Sequence, residues 1–124
     1  MNSNNTRSYK DLVVWQKSID LAKLTYELTR NFPVVEKFGL IAQMRRAAVS
    51  IPSNIAEGQA RHTTGEFIQP ISHAEGSVAK LDTQLVLSVE LKFCAKPAAD
   101  PVFVLILEVR RMLNALRRRL SARQ

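Results

Sequence analysis

Arg45-Arg46-Ala47-Ala48-Val49-Ser50-Ile51-Pro52-Ser53-Asn54-Ile55-Ala56-Glu57-Gly58 is the stretch on which the fold turns. Two cations precede a run of small residues, and a proline stands inside a pattern that is otherwise helical. Ile41, Met44, Ala48, Ile51 and Ile55 recur at spacings of three and four, the stripe of a helix with one buried face. The stripe keeps its phase across Pro52, so the spacing predicts one helix over about 39–61. A kink is expected where the proline cannot donate to Ala48. Asn54 and Glu57 have the spacing of a cap that restarts the helix. Ala47, Ala48, Ser50, Ser53, Ala56 and Gly58 permit close approach of a neighbouring helix.

Working outward, three further helices follow from periodicity. The first spans about 12–31, with Leu12, Trp15, Ile19, Ala22 and Tyr26 as its stripe, Ser8 and Asp11 at capping-box spacing before it, and Pro33 beyond its end. The third spans about 65–93. Thr63 and Glu66 form a capping box ahead of a heptad seam of Phe67, Ile71, Ala74, Val78, Leu81 and Leu85. Pro70 interrupts that seam near its start and predicts a bend. The fourth spans about 101–120, with Asp100 as cap, Pro101 as first residue, and Val102, Leu105, Val109, Met112 and Leu116 as stripe, widened by Leu113 and Leu120. No segment alternates as a strand does. The expected architecture is all-α: a single domain over 1–124, an up-down-up-down four-helix bundle behind a disordered tail of about residues 1–7.

The first and third helices carry more apolar residues than one stripe needs: Val13, Val14, Leu21, Leu24 and Leu28, and Ile68, Val86 and Val89. The surplus fits either a wide core face or self-association.

The chain has 124 residues, 46% of them hydrophobic, enough for a substantial core. Its uncharged apolar runs are far shorter than the ~20 residues a membrane-spanning helix needs. The start has neither the charge nor the apolar layout of a signal peptide. The single cysteine, Cys94, excludes an intrachain disulfide and fits a reducing, cytoplasmic setting; it reads as a small apolar filler.

The formal net charge is +7, and it is concentrated. Residues 1–108 hold 12 Lys/Arg against 11 Asp/Glu, a balance of +1. Residues 109–124 hold six arginines and no acid: Arg110, Arg111, Arg117, Arg118, Arg119 and Arg123. Such asymmetry points to an anionic partner, either nucleic acid or a membrane surface, or else to a solubilising helix end that complements the dipole. Arginine suits phosphate because its planar fork donates two bonds at once. Aromatic residues are only 6% and lie mostly on the apolar stripes, so phosphate contact rather than base stacking is the expected mode.

Catalytic signals are weak. The four glycines are scattered, which leaves no phosphate-cradling loop. One cysteine and two histidines do not make a usual zinc set. Neither His62 nor His73 has a glutamate three residues before it, as bundle di-metal sites require. The reading is a non-enzyme with no cofactor and no metal.

Several stretches resemble one family. These are Ser8-Tyr9-Lys10-Asp11-Leu12-Val13-Val14-Trp15-Gln16-Lys17, the run from Phe38 through Gly58, Glu66-Phe67, and Leu81-Asp82-Thr83-Gln84-Leu85. Over roughly residues 8–92 the chain is similar to the four-helix-bundle proteins first noticed as open reading frames inside intervening sequences of bacterial large-subunit ribosomal RNA genes. The resemblance implies a ring-shaped homopentamer. It also implies distant similarity to the accessory variability protein of diversity-generating retroelements, whose basic surface binds nucleic acid and a partner reverse transcriptase. It carries over no catalytic residue. Pro70 departs from the family pattern, which has a large apolar or aromatic residue there.

The expected function is therefore that of an oligomeric basic protein binding RNA or DNA through phosphates, or serving a nucleic-acid enzyme as accessory. Arg110, Arg111, Arg117, Arg118, Arg119 and Arg123 are the candidate contacts, with no membrane partner. Arg45, Arg46, Pro52, Asn54, Glu57 and Gly58 are expected to serve structure or a subunit interface, the two arginines by bonding to Glu57, Asp82 or Glu90 of a neighbouring subunit. The alternative is a protein-interaction scaffold without nucleic-acid binding. A metal-dependent bundle enzyme is the third reading.

Overall fold

A computed structural model describes residues 8–61 and 63–123. The tail expected over 1–7, and His62, lie outside the described residues. Four long helices form the chain: α1 (Val13–Thr29), α2 (Leu40–Gln59), α3 (Thr64–Glu90) and α4 (Lys96–Arg123). Short 3-10 turns, Tyr9–Asp11 and Val34–Glu36, precede α1 and α2, and no strand occurs among the described residues. Each helix packs on two neighbours, α1 on α2 and α4, α3 on α2 and α4, which closes a four-helix bundle around one core.

Local chemistry explains most of the helix ends. Thr63 and Glu66 make the capping box, with Glu66 N–H donating to Thr63 Oγ1 at 3.1 Å and Thr63 N–H to Glu66 Oε1 at 3.2 Å. Glu36 Oε1 accepts from Leu40 N–H at 3.1 Å and so satisfies an orphan donor at the start of α2. Ser8 caps the turn at Tyr9–Asp11 rather than α1 itself. At the far end of α3, Phe93 N–H reaches Ser88 C=O at 2.9 Å and Lys92 N–H reaches Val89 C=O at 3.0 Å. This is a Schellman termination, which puts Lys92 in the left-handed region at φ 64. Phe93 then packs on Phe32, ring centroids 5.8 Å apart.

Three prolines stand inside helices. α2 runs unbroken through Pro52 and α3 through Pro70, and both rings are buried. α4 runs unbroken through the exposed Pro101, its sixth residue. Asn54 does not restart α2; its Nδ2 donates to Ser50 C=O at 2.8 Å, inside a continuous helix. α4 starts at Lys96, ahead of the expected Asp100–Pro101 start. Asp100 pairs with Lys96 at 3.0 Å instead of capping, and Ala99 N–H reaches Ala95 C=O at 3.2 Å. Pro97, with no N–H to satisfy, sits in the first turn where proline is tolerated.

The α2 stripe is buried as expected, and so is the α3 seam from Ile71 to Leu85. On α1 the expected face is corrected. Val14, Ser18, Leu21, Thr25 and Thr29 face the core, while Trp15, Ile19 and Ala22 are half-buried and Tyr26 is exposed. Three of these core positions are hydroxyl residues that satisfy themselves along their own helix. Ser18 donates to Trp15 C=O at 2.7 Å, Thr25 to Leu21 C=O at 2.8 Å and Thr29 to Thr25 C=O at 2.8 Å. A hydroxyl bonded back in this way adds little polarity to a core. α4 is rotated similarly: Val102, Ile106, Val109, Leu113 and Leu120 are buried, while Leu105, Met112 and Leu116 flank them.

The α2–α3 contact is the most extensive of the four, and it is tight at Gly58. A Cβ built on Gly58 would lie 2.5 Å and 2.7 Å from two atoms of the Phe67 ring. Gly58→Ala therefore sets a helix-propensity gain of about 1 kcal/mol against overpacking of about 1–3 kcal/mol. Net loss of stability is expected in urea denaturation. Adding Phe67→Leu, which clears the ring, should recover part of it; an unchanged midpoint for Gly58→Ala alone would refute the close contact.

Candidate nucleic-acid interface

α4 carries all six arginines of the basic end, and the bundle sorts them. Arg110 donates through Nη2 to Asp82 Oδ2 at 2.9 Å, and Arg117 through Nε to Glu75 Oε1 at 2.7 Å. Both acids stand on α3, so these arginines lie on the α3–α4 seam and their charge is already met. The two pairs also fix the antiparallel register of the seam. Arg111, Arg118, Arg119 and Arg123 are exposed, and none has an ion-pair partner among the described residues. Arg111 and Arg118 are two turns apart and share a face; Arg119 and Arg123 are one turn apart on the adjoining face. The sequence spacing groups Arg110, Arg117 and Arg118 together, but the fold separates the first two from the third.

The cations of α2 behave differently. Arg45 lies over the Tyr26 ring, 4.5 Å from its centroid, and donates to Thr29 Oγ1 at 2.9 Å and Tyr26 C=O at 3.2 Å. It thereby serves the C-terminal end of α1, where a cation complements the carbonyls. Arg46 is exposed and lines a cleft on either side of α2. Glu57 pairs with Arg61.

Two apolar surfaces remain uncovered, on opposite sides of the bundle. On the α1–α2 side, Tyr26, Phe38, Ile41 and Val49 line a groove of about 830 Å³, rimmed by Lys37, Arg45 and Arg46. Phe38 is 87% exposed there. Of the stripe read from sequence as the α1 core, Tyr26 lines this groove. On the α3–α4 side, Val86 and Leu107 are exposed at matching positions of the seam, with exposed Glu90 one turn along α3 from Val86.

No group of three or more His, Cys, Asp or Glu residues is placed to hold a metal among the described residues. Cys94 is half-buried, and desolvation pushes its thiol up from the ordinary value, which disfavours the reactive thiolate. Among the described residues, no helix is long and apolar enough to cross a membrane.

These features define a four-helix-bundle protein with a basic face on its last helix. A family model described as 23S rRNA-intervening sequence protein matches residues 10–115, and the chain belongs to that family. Among solved structures it is similar to a protein of unknown function from the S23 ribosomal protein family of Bacteroides thetaiotaomicron. The two share 20% identity at a TM-score of 0.76, over 85% of this chain and 98% of that one. This likeness concerns the fold. No curated protein matches.

The sorting of arginines predicts a division of effects. Arg110→Gln or Arg117→Gln should lower stability by roughly 0.2–1 kcal/mol, the range for partly exposed ion pairs, with little change in polyanion binding. Arg118→Gln should do the reverse. Urea midpoints and heparin-column elution salt, measured on the same three variants, check this; equal elution shifts for all three would contradict it.

Proposed function

We propose that the protein is a non-enzymatic, self-associating bundle that binds nucleic acid through phosphate contacts from α4. The observation that carries this reading is the set of four exposed arginines, Arg111, Arg118, Arg119 and Arg123, with no acid anywhere in residues 109–124. Their arc on the helix suits a charged backbone better than a single small anion. Binding of this kind is weakly sequence-selective and falls with salt as counterions are released. An accessory role beside a nucleic-acid enzyme fits the same chemistry.

Self-association rests on the two uncovered apolar surfaces. They differ from each other and lie on opposite sides, so a contact between them is heterologous, and heterologous contacts close into rings when the rotation permits. Lys37 on the rim of the α1–α2 groove complements Glu90 beside the α3–α4 surface. Five copies is the number the family resemblance implies.

Fluorescence anisotropy with labelled structured RNA and duplex DNA tests the nucleic-acid reading. Four phosphate contacts give a slope of log affinity against log salt of roughly −3.6 per protomer on duplex DNA. Changing the four exposed arginines to Gln should abolish binding. No binding at low salt would sink the proposal in favour of the protein scaffold, which the exposed Val34, Val35 and Phe38 would then serve.

Assembly is tested separately by native mass spectrometry against the 14.0 kDa protomer. Phe38→Glu and Val86→Glu should each give monomers with unchanged helical circular dichroism. Mixing the two should restore a heterodimer, because each keeps the face the other lacks. Failure to pair on mixing would exclude the heterologous contact.

A further inference from the structure

A second cleft, of about 690 Å³, opens between α2 and α3, away from the α4 arginines. Its walls are two facing stripes: Gln43, Arg46 and Ser50 from α2, and Ser77, Lys80 and Gln84 from α3. Ser50 and Ser77 meet at 2.5 Å, which sets the antiparallel register. In that register Gln43 stands level with Gln84, and Arg46 approximately level with Lys80. Three features single the cleft out. It gathers two cations and no carboxylate. Its hydroxyls and amides offer several donors at middle depth. Gln84 is only 8% exposed, and its Oε1 is buried with no hydrogen-bond partner among the described residues.

Each feature has a cost in the empty protein. Like charges facing one cleft repel, and a buried amide oxygen without a donor forfeits its hydration. A core filler would be cheaper than Gln84 at this position, and one acid would neutralise the cations. The arrangement is satisfied by a ligand that brings negative charge and, beside it, a donor.

We infer that the α2–α3 cleft binds a phosphate group, as the free ion or as the headgroup of a small phosphate monoester. Arg46 and Lys80 meet the phosphate charge from opposite walls, Arg46 with a bidentate fork. The serine pair adds a donor. With Ser50 donating to Ser77, the Ser77 proton points to the phosphate; without ligand, Ser77 can donate to Ser50 while Ser50 donates to Ala47 C=O, 2.8 Å away. A hydroxyl on the ester portion donates to Gln84 Oε1 once the side-chain amide turns outward from its buried position. The volume lies within the ~300–1,000 Å³ usual for small-ligand sites.

The test is isothermal titration of the full-length protein with inorganic phosphate, glycerol 3-phosphate, ribose 5-phosphate and a nucleoside monophosphate, with thermal shift in parallel. Saturable binding of at least one is expected, at about millimolar or tighter. Arg46→Gln and Lys80→Gln should each weaken it about tenfold or more, as loss of a charge-assisted bond requires. Gln84→Leu should weaken a hydroxyl-bearing ester while leaving inorganic phosphate unchanged. A preference for the esters assigns the site to a monoester, and equal or tighter binding of inorganic phosphate assigns it to the free ion. No binding up to about 10 mM, or binding indifferent to Arg46→Gln and Lys80→Gln, overturns the inference. The protein with Gln at 111, 118, 119 and 123 should bind these ligands normally, so failure here and failure of the nucleic-acid reading are separate results.

Discussion

The close approach of α2 and α3 is the constraint on which the rest of the bundle depends. Gly58 leaves room for the Phe67 ring, Ser50 and Ser77 touch, and Met44 Sδ lies 3.4 Å from Ser88 Oγ. A large side chain at Gly58, Ser50, Ser77 or Ser88 would push the two helices apart. Because interiors are close-packed, that displacement would pass to α1 and α4 through the shared core of Ile51, Ile55, Leu81 and Leu85. The small residues of α2 thus act as spacers that set a distance, and the branched residues beside them fill the volume that the distance defines. Pro52 and Pro70 fit this picture, since both are buried within unbroken helices rather than placed where a helix ends.

Charge in this protein is partitioned by the fold rather than spread over it. Asp82 and Glu75 on α3 engage Arg110 and Arg117, and Arg45 is taken up by the end of α1. Among the cations left without an ion pair are a set of four on the outer faces of α4 and a pair in the α2–α3 cleft. Partly exposed ion pairs contribute little to stability, so the seam pairs matter more for register, since they hold α3 and α4 at one offset. The unpaired cations are held on rigid helices, which limits the entropy lost on meeting an anion.

Much of the architecture was legible beforehand because helical periodicity and capping are local. The α3 capping box at Thr63 and Glu66, the α2 stripe and the α3 seam all depend on residues within a few turns of one another. The misread parts share a different cause. Ser18, Thr25 and Thr29 look polar as letters, and only their back-bonding to the preceding turn makes them core residues; a reading by hydropathy therefore rotated α1 toward Trp15 and Tyr26. Asp100-Pro101 has the form of a helix start, yet Ala95 and Pro97 initiate α4 earlier, and nothing in the local pattern ranks one start over the other. Among the candidate contacts, Arg110 and Arg117 are indistinguishable in sequence from Arg111 and Arg118.

By itself, then, the sequence determined the helix count, the closeness of α2 to its neighbour and the location of the excess charge. Composition and short-range spacing are enough for these, because each arises within one helix. The tertiary structure alone decided which α1 face is buried, which arginines are neutralised and which stay exposed. It also brought Arg46 into one cleft with Lys80 and Gln84, 34 and 38 positions further along the chain. Those outcomes depend on the rotation and register of packed helices. Both are set by the summed fit of many side chains across the core, which no single segment encodes.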